Sequence, residues 1–79
     1  MVQWTLHLNR EALKRLYALK REDRERTAQL LRQLQMNPDS VEKEMVGNEI
    51  YLVEREGILI HIQPMPNRII RVLDIFVMG

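Results

Sequence analysis

Three apolar segments follow one another in the second half of the chain, at 49–55, 58–62 and 68–78, and only turns fit between them. Gly57 permits the first turn, and Pro64-Met65-Pro66-Asn67 makes the second. Strands joined so tightly pair as hairpins, so this half is committed to an antiparallel block. The first segment centres on Ile50-Tyr51-Leu52-Val53 and the second is Ile58-Leu59-Ile60-His61-Ile62. The last is apolar in both alternation classes, with Ile70, Val72 and Phe76 in one and Ile69, Leu73, Ile75 and Val77 in the other. A strand of that kind is central in its sheet or covered on both sides.

The first half reads as one strand and two helices. Val2, Trp4, Leu6 and Leu8 alternate with Gln3, Thr5 and His7, the pattern of a half-buried strand. Asn9 follows as a helix cap, with Glu11 in the first turn and Leu8 and Leu13 at the spacing of a hydrophobic staple. Leu13, Leu16 and Tyr17, with Ala12 and Leu19 beside them, form the expected buried stripe. Seven charged residues, Lys20 to Arg26, then interrupt the apolar pattern, and the first helix is expected to end among them. Thr27, Leu30, Leu31 and Leu34 resume it at i, i+3, i+4 and i+7, and Asn37-Pro38 stops it. Two antiparallel helices fit this pattern, and one long helix with a solvated middle is the alternative. Residues 37–48 read as a loop. The order is β-α-α-β-β-β: one α+β domain over 1–79, with a helical hairpin packed on one face of a small, largely antiparallel sheet.

Composition narrows the chemistry. The 79 residues leave room for one domain, and the absence of cysteine excludes disulfides, thiolate metal sites and thiol nucleophiles. No apolar run approaches the roughly 20 residues of a membrane span, and no secretory signal is visible, which points to a cytoplasmic protein with no membrane partner. Residues 1–35 carry eight basic and four acidic residues, whereas 36–79 carry four and seven. The first part can attract phosphate and the second weakly repels it.

Few residues offer themselves for catalysis. His7 and His61 are the two histidines, and an imidazole can act as general base. Their plainer reading is a solvent-facing or hydrogen-bonded strand residue. Lys14, Arg15, Lys20, Arg21 and Arg24 are the best phosphate contacts if nucleic acid is bound. Glu22, Asp23 and Glu25 cancel much of that field, and Glu11–Arg15 and Glu22–Arg26 have the i, i+4 spacing of surface ion pairs. Trp4 reads as core and the five methionines as gap fillers. No phosphate loop, metal-ligand cluster or paired-carboxylate motif is present, so no metal and no cofactor is expected. The last strand suggests a partner surface at Ile69, Leu73, Ile75, Phe76 and Val77, covered by another protein or by a second copy.

Four local sequences in this order carry a resemblance. They are the basic helix pair Leu13-Lys14-Arg15-Leu16 through Leu30-Leu31-Arg32-Gln33-Leu34, then Asn37-Pro38, then Met45-Val46-Gly47 before Ile50-Tyr51-Leu52-Val53, and finally Ile69-Ile70-Arg71-Val72-Leu73-Asp74-Ile75. Together they resemble the RelE/ParE superfamily of toxins from bacterial toxin–antitoxin pairs. The resemblance implies an antitoxin partner, and a target at the ribosome and its mRNA or at DNA gyrase. It also implies, for the family's ribonucleases, an arginine inside the second strand, another early in the third, and a basic cluster after the fourth. Here Leu52 fills the first place, Ile58 or Leu59 the second, and Phe76-Val77-Met78-Gly79 the third. Apolar side chains neither hold phosphate nor stabilise developing charge. The expected protein is therefore a toxin acting by binding. The alternatives are a non-toxic homologue serving as an interaction module or homodimer, and an mRNA endonuclease in which His61 is the base and Arg55 and Arg71 hold phosphate.

Overall fold

The computed structural model describes residues 3–78. The first alternation gives strand β1 (Thr5–Leu8), with Leu6 and Leu8 half-buried and Thr5 and His7 exposed. Val2, expected on the same apolar face, lies outside the described residues. Asn9 caps helix α1 (Arg10–Ala18), its Oδ1 accepting from the Ala12 N–H at 2.9 Å. The Asn9 N–H in turn donates to the Val72 carbonyl at 3.1 Å, which ties the start of the helix to the sheet. Asn9→Ala is expected to cost about 1 kcal/mol, seen as a lower urea midpoint at unchanged slope.

Helix α1 is shorter than the charge pattern suggests. It stops at Ala18, Leu19 and Lys20 are both extended, and helix α2 (Arg21–Met36) begins at once. Arg21 to Arg26 are therefore the first turns of α2, not the connection. Two extended residues redirect the chain without glycine or proline, so no residue type marks the place. The buried stripe of α1 also differs from expectation. Ala12 is buried and Leu16 and Leu19 pack on the core, but Leu13 and Tyr17 are 42% and 68% exposed. A helix of nine residues here buries one line at i, i+4 and i+7 and leaves the next line in water. On α2 the expected stripe holds: Thr27, Leu30, Leu31 and Leu34 are all buried. Thr27 satisfies its hydroxyl by donating to the Asp23 carbonyl at 2.7 Å.

A strand occupies part of the segment expected as loop. After a 3₁₀ turn (Pro38–Ser40), β2 (Lys43–Gly47) pairs antiparallel with β3 (Ile50–Arg55). Glu44, Met45, Val46 and Gly47 are exposed, so burial imposes no apolar alternation on them. β4 (Ile58–Met65) and β5 (Ile69–Val77) complete the sheet in the order β1-β5-β4-β3-β2. Only β1 and β5 run parallel; the other neighbours are antiparallel. Both late hairpins turn on paired positive φ angles, Glu56 with Gly57 and Asn67 with Arg68, the geometry that matches strand twist.

β5 contains a bulge that overturns its expected faces. His61 lies opposite Asp74 but Ile62 lies opposite Val72, so Leu73 is an extra residue. The slip brings Ile75 onto the buried side with Ile70 and Val72, and moves Phe76 to the opposite side. The core is then Val53, Ile58, Ile60, Ile62, Ile70, Val72 and Ile75 from the sheet, under Ala12, Leu30, Leu31 and Leu34 from the helices, with Val41 after the 3₁₀ turn. No helix among the described residues is long and apolar enough to cross a membrane.

Candidate functional site on the outer sheet face

Strand pairing fixes which side chains share the face turned away from this core. Across β1, β5 and β4, His7 lies beside Arg71 and Arg71 beside Gln63. The next row runs Asp74, His61, Leu52 and Glu44 across β5, β4, β3 and β2. The row after that runs Phe76, Leu59 and Glu54. His61, Leu52, Leu59, Asp74 and Phe76 are each partly buried, while His7, Arg71, Glu44 and Glu54 are exposed. The face therefore has a basic flank at β1–β5, an apolar middle and an acidic flank at β2–β3.

One helix residue joins it. β1 ends opposite Val72, and α1 lies beside the rest of β5. From there Arg15 reaches over the strand, its Nε 2.8 Å from Asp74 Oδ1 and its guanidinium 4.6 Å from the Phe76 ring centre. The same Asp74 oxygen accepts from the Ile75 N–H at 2.8 Å. His61 meets Phe76 edge-on, with ring centres 6.0 Å apart. Arg15, Phe76 and His61 thus form a continuous stack, with Asp74 closing it from the side. Sequence spacing had paired Arg15 with Glu11, because nothing in one dimension shows that β5 passes within reach.

The other expected site residues separate. Arg71 is on the outer face, exposed, and forms no ion pair among the described residues. Arg55 is on the other side: it lies opposite the buried Ile58, and its guanidinium donates to the Gln33 side chain of α2. His61 and Arg55 therefore cannot serve one reacting group from one face. Of the five expected phosphate contacts, Arg15 is held by Asp74 and Arg21 pairs with Glu25 at 3.2 Å. Lys14 and Lys20 are exposed and Arg24 half-buried. Arg26 pairs with Asp23 at 2.6 Å, not with Glu22, and also reaches Glu56 at 3.9 Å. Of the expected partner surface, Ile75 is 1% exposed inside the protein's own core, whereas Ile69, Leu73, Phe76 and Val77 are partly buried. β5 is also an inner strand, flanked by β1 and β4.

No family model and no curated protein matches the sequence. Solved structures do match. A chain of the toxin–antitoxin complex RelBE2 from Mycobacterium tuberculosis superposes with a TM-score of 0.84 at 13% identity, over 99% of this chain and 94% of that one. The isolated E. coli RelE toxin gives 0.81 at 18% identity, over 96% and 85%. The fold is that of the RelE toxins. The archaeal RelE–RelB complex from Pyrococcus horikoshii OT3 agrees, at 0.75 and 13% identity over 96% of each chain. At such identities the likeness to RelE concerns the path of the chain, and the side chains must speak for the chemistry.

On this RelE fold, Leu52, Leu59 and Phe76 share one face with His61. Of Ile58 and Leu59, Ile58 is in the core and Leu59 faces outward. Leu52, Leu59 and Phe76 thus make the middle of the outer face apolar.

Proposed function

We propose that the chain is a RelE-like toxin of a toxin–antitoxin pair that acts by binding its target, the translation machinery or gyrase, and is neutralised by an antitoxin protein. The observation that carries this is the apolar middle of the outer face, Leu52, Leu59 and Phe76, bordered by Glu44 and Glu54. A phosphate backbone laid across it would meet leucine where it needs a cation, and carboxylates beyond. A half-buried apolar patch with charged rims suits a protein surface instead. The resemblance in fold to toxins and toxin–antitoxin complexes supports an antitoxin partner.

One observation favours a second reading, mRNA cleavage. His61 lies beside Asp74, a carboxylate that can orient an imidazole, and Arg71 stands further along the same strand. A cell-free translation assay with mapped mRNA ends separates the two. Binding predicts lost reporter yield with intact message, or failing that inhibited supercoiling by gyrase, and His61→Ala should change either effect by less than about twofold. Cleavage predicts new mRNA ends, and loss of a general base in His61→Ala should reduce them by about 100-fold or more. No effect on translation or supercoiling would leave a non-toxic interaction module.

A further inference from the structure

The helical layer stops before the sheet does. α2 ends at Met36, and only the 3₁₀ turn Pro38–Ser40 follows it. A cavity of about 220 Å³ opens beside that turn, and no residue of α1 or α2 lines it. Its floor is the core pair Ile62 and Ile70, each 1% exposed, which lie opposite Tyr51 and Pro64. Two half-buried aromatic side chains, Trp4 and Tyr51, line the same cavity.

Charge at this cavity favours a cation. Lys43 lines it, but its amine donates to the carbonyls of Pro38 and Val41, at 2.6 and 3.1 Å, and is committed to the turn. Asp39 is exposed at the cavity and forms no ion pair among the described residues. The last turn of α2 carries no basic residue, so the negative end of its dipole is uncompensated there. Aromatic faces add negative potential of their own.

We propose that this cavity binds a small quaternary ammonium compound, its alkyl groups on Ile62 and Ile70, its charge against Trp4 and Tyr51, and Asp39 its counter-ion. A fully alkylated nitrogen suits the lining better than a primary amine. A primary ammonium brings three donors that need acceptors, and the Pro38 carbonyl is already taken by Lys43. A quaternary head asks only for apolar and aromatic surface, which most of the lining supplies. The cavity is on the core side of the sheet, so the inference does not depend on what the outer face binds.

Trp4 is the single tryptophan of the chain, so its emission reports on the cavity directly. Choline added to the full chain at constant chloride is expected to change that emission saturably, and to shift the amide signals of Ile62 and Ile70. The uncharged isostere of choline, with carbon in place of nitrogen, keeps the shape without the charge, and ethanolamine keeps the charge without the methyl groups. Each should bind about tenfold more weakly or worse. Tyr51→Leu keeps apolar bulk but removes a ring, and Asp39→Asn removes the counter-charge. Each should weaken choline about threefold or more while leaving the isostere unchanged, with melting curves reporting that both variants fold. A choline response that does not saturate, equal binding of the isostere or of ethanolamine, or full choline affinity in either folded variant overturns the proposal.

Discussion

Ile60→Ala is expected to cost about 3–4 kcal/mol, the largest effect of any single truncation discussed for this chain. Ile60 is fully buried in the middle of β4, with Val53 opposite on β3 and Ile75 opposite on β5. Both neighbours are held by their own ladders, so the sheet cannot close over the missing methyl groups, and most of the cavity should persist. A domain of 79 residues has a total stability of about 4–12 kcal/mol. The urea midpoint should therefore fall by about a quarter or more, up to loss of the fold at the lower end of that range. Leu13→Ala is the control: Leu13 is as apolar, but it is 42% exposed on α1, and its loss should stay within about 0.5 kcal/mol. Equal losses in the two variants would show that the core is not where the structure puts it.

The contrast between these two leucine-like positions shows where sequence patterns carry the fold and where they stop. Patterns were legible in most places where burial imposed a period, the α1 stripe with its exposed Leu13 and Tyr17 being the exception. The α2 stripe, the Asn9 cap and the cores of the three late strands are where residue types put them, because each must bury a face or satisfy backbone donors, but β4 runs on through Pro64 and Met65, expected as turn, which pair with Ile70 and Ile69. Three features left no such mark. β2 is an edge strand with almost nothing to bury, so Glu44, Met45 and Val46 carry no alternation. The link at Leu19-Lys20 uses ordinary extended backbone, which any residue adopts. The bulge at Leu73 is an insertion relative to a neighbouring strand, and a single strand read alone cannot contain that information.

The candidate site was legible in part for the same reason. His61 was read as a polar position of its strand, and it lies on the outer face beside Leu52, which the sequence marked only through the resemblance. Phe76 and Ile75 exchanged faces because the bulge lies between them and the start of β5. Arg55 was given the same phosphate-holding role as Arg71, yet the pairing of β3 with β4 sends it to the helix side. Arg15 was marked as a phosphate contact or a partner of Glu11, and its actual partners lie about sixty residues away on β5. Contacts of that separation have no local signature, so the Arg15–Phe76–His61 stack could be found only from coordinates.

That stack makes the second large prediction. Asp74→Ala is expected to cost about 2 kcal/mol, roughly twice the cost of Arg15→Ala. Arg15 loses a partly exposed ion pair and its place over Phe76, worth about 1 kcal/mol together. Asp74 loses the same pair, and in addition its carboxylate no longer accepts from the Ile75 N–H beside the bulge. An N–H left without a partner next to a side chain that is 1% exposed costs about 1–3 kcal/mol. Asp74→Asn keeps an oxygen for that donor while removing the charge, so it should cost no more than Arg15→Ala. The double variant Arg15→Ala with Asp74→Ala should be less destabilised than the two single losses added, by about 0.5–1 kcal/mol. If Asp74→Asn proves as damaging as Asp74→Ala, the charge pair with Arg15 dominates, and the bulge is held by β4 alone. If instead all three variants unfold at the same urea concentration as the parent, the stack is a surface ornament, and the shape of the outer face is set entirely by the core beneath it.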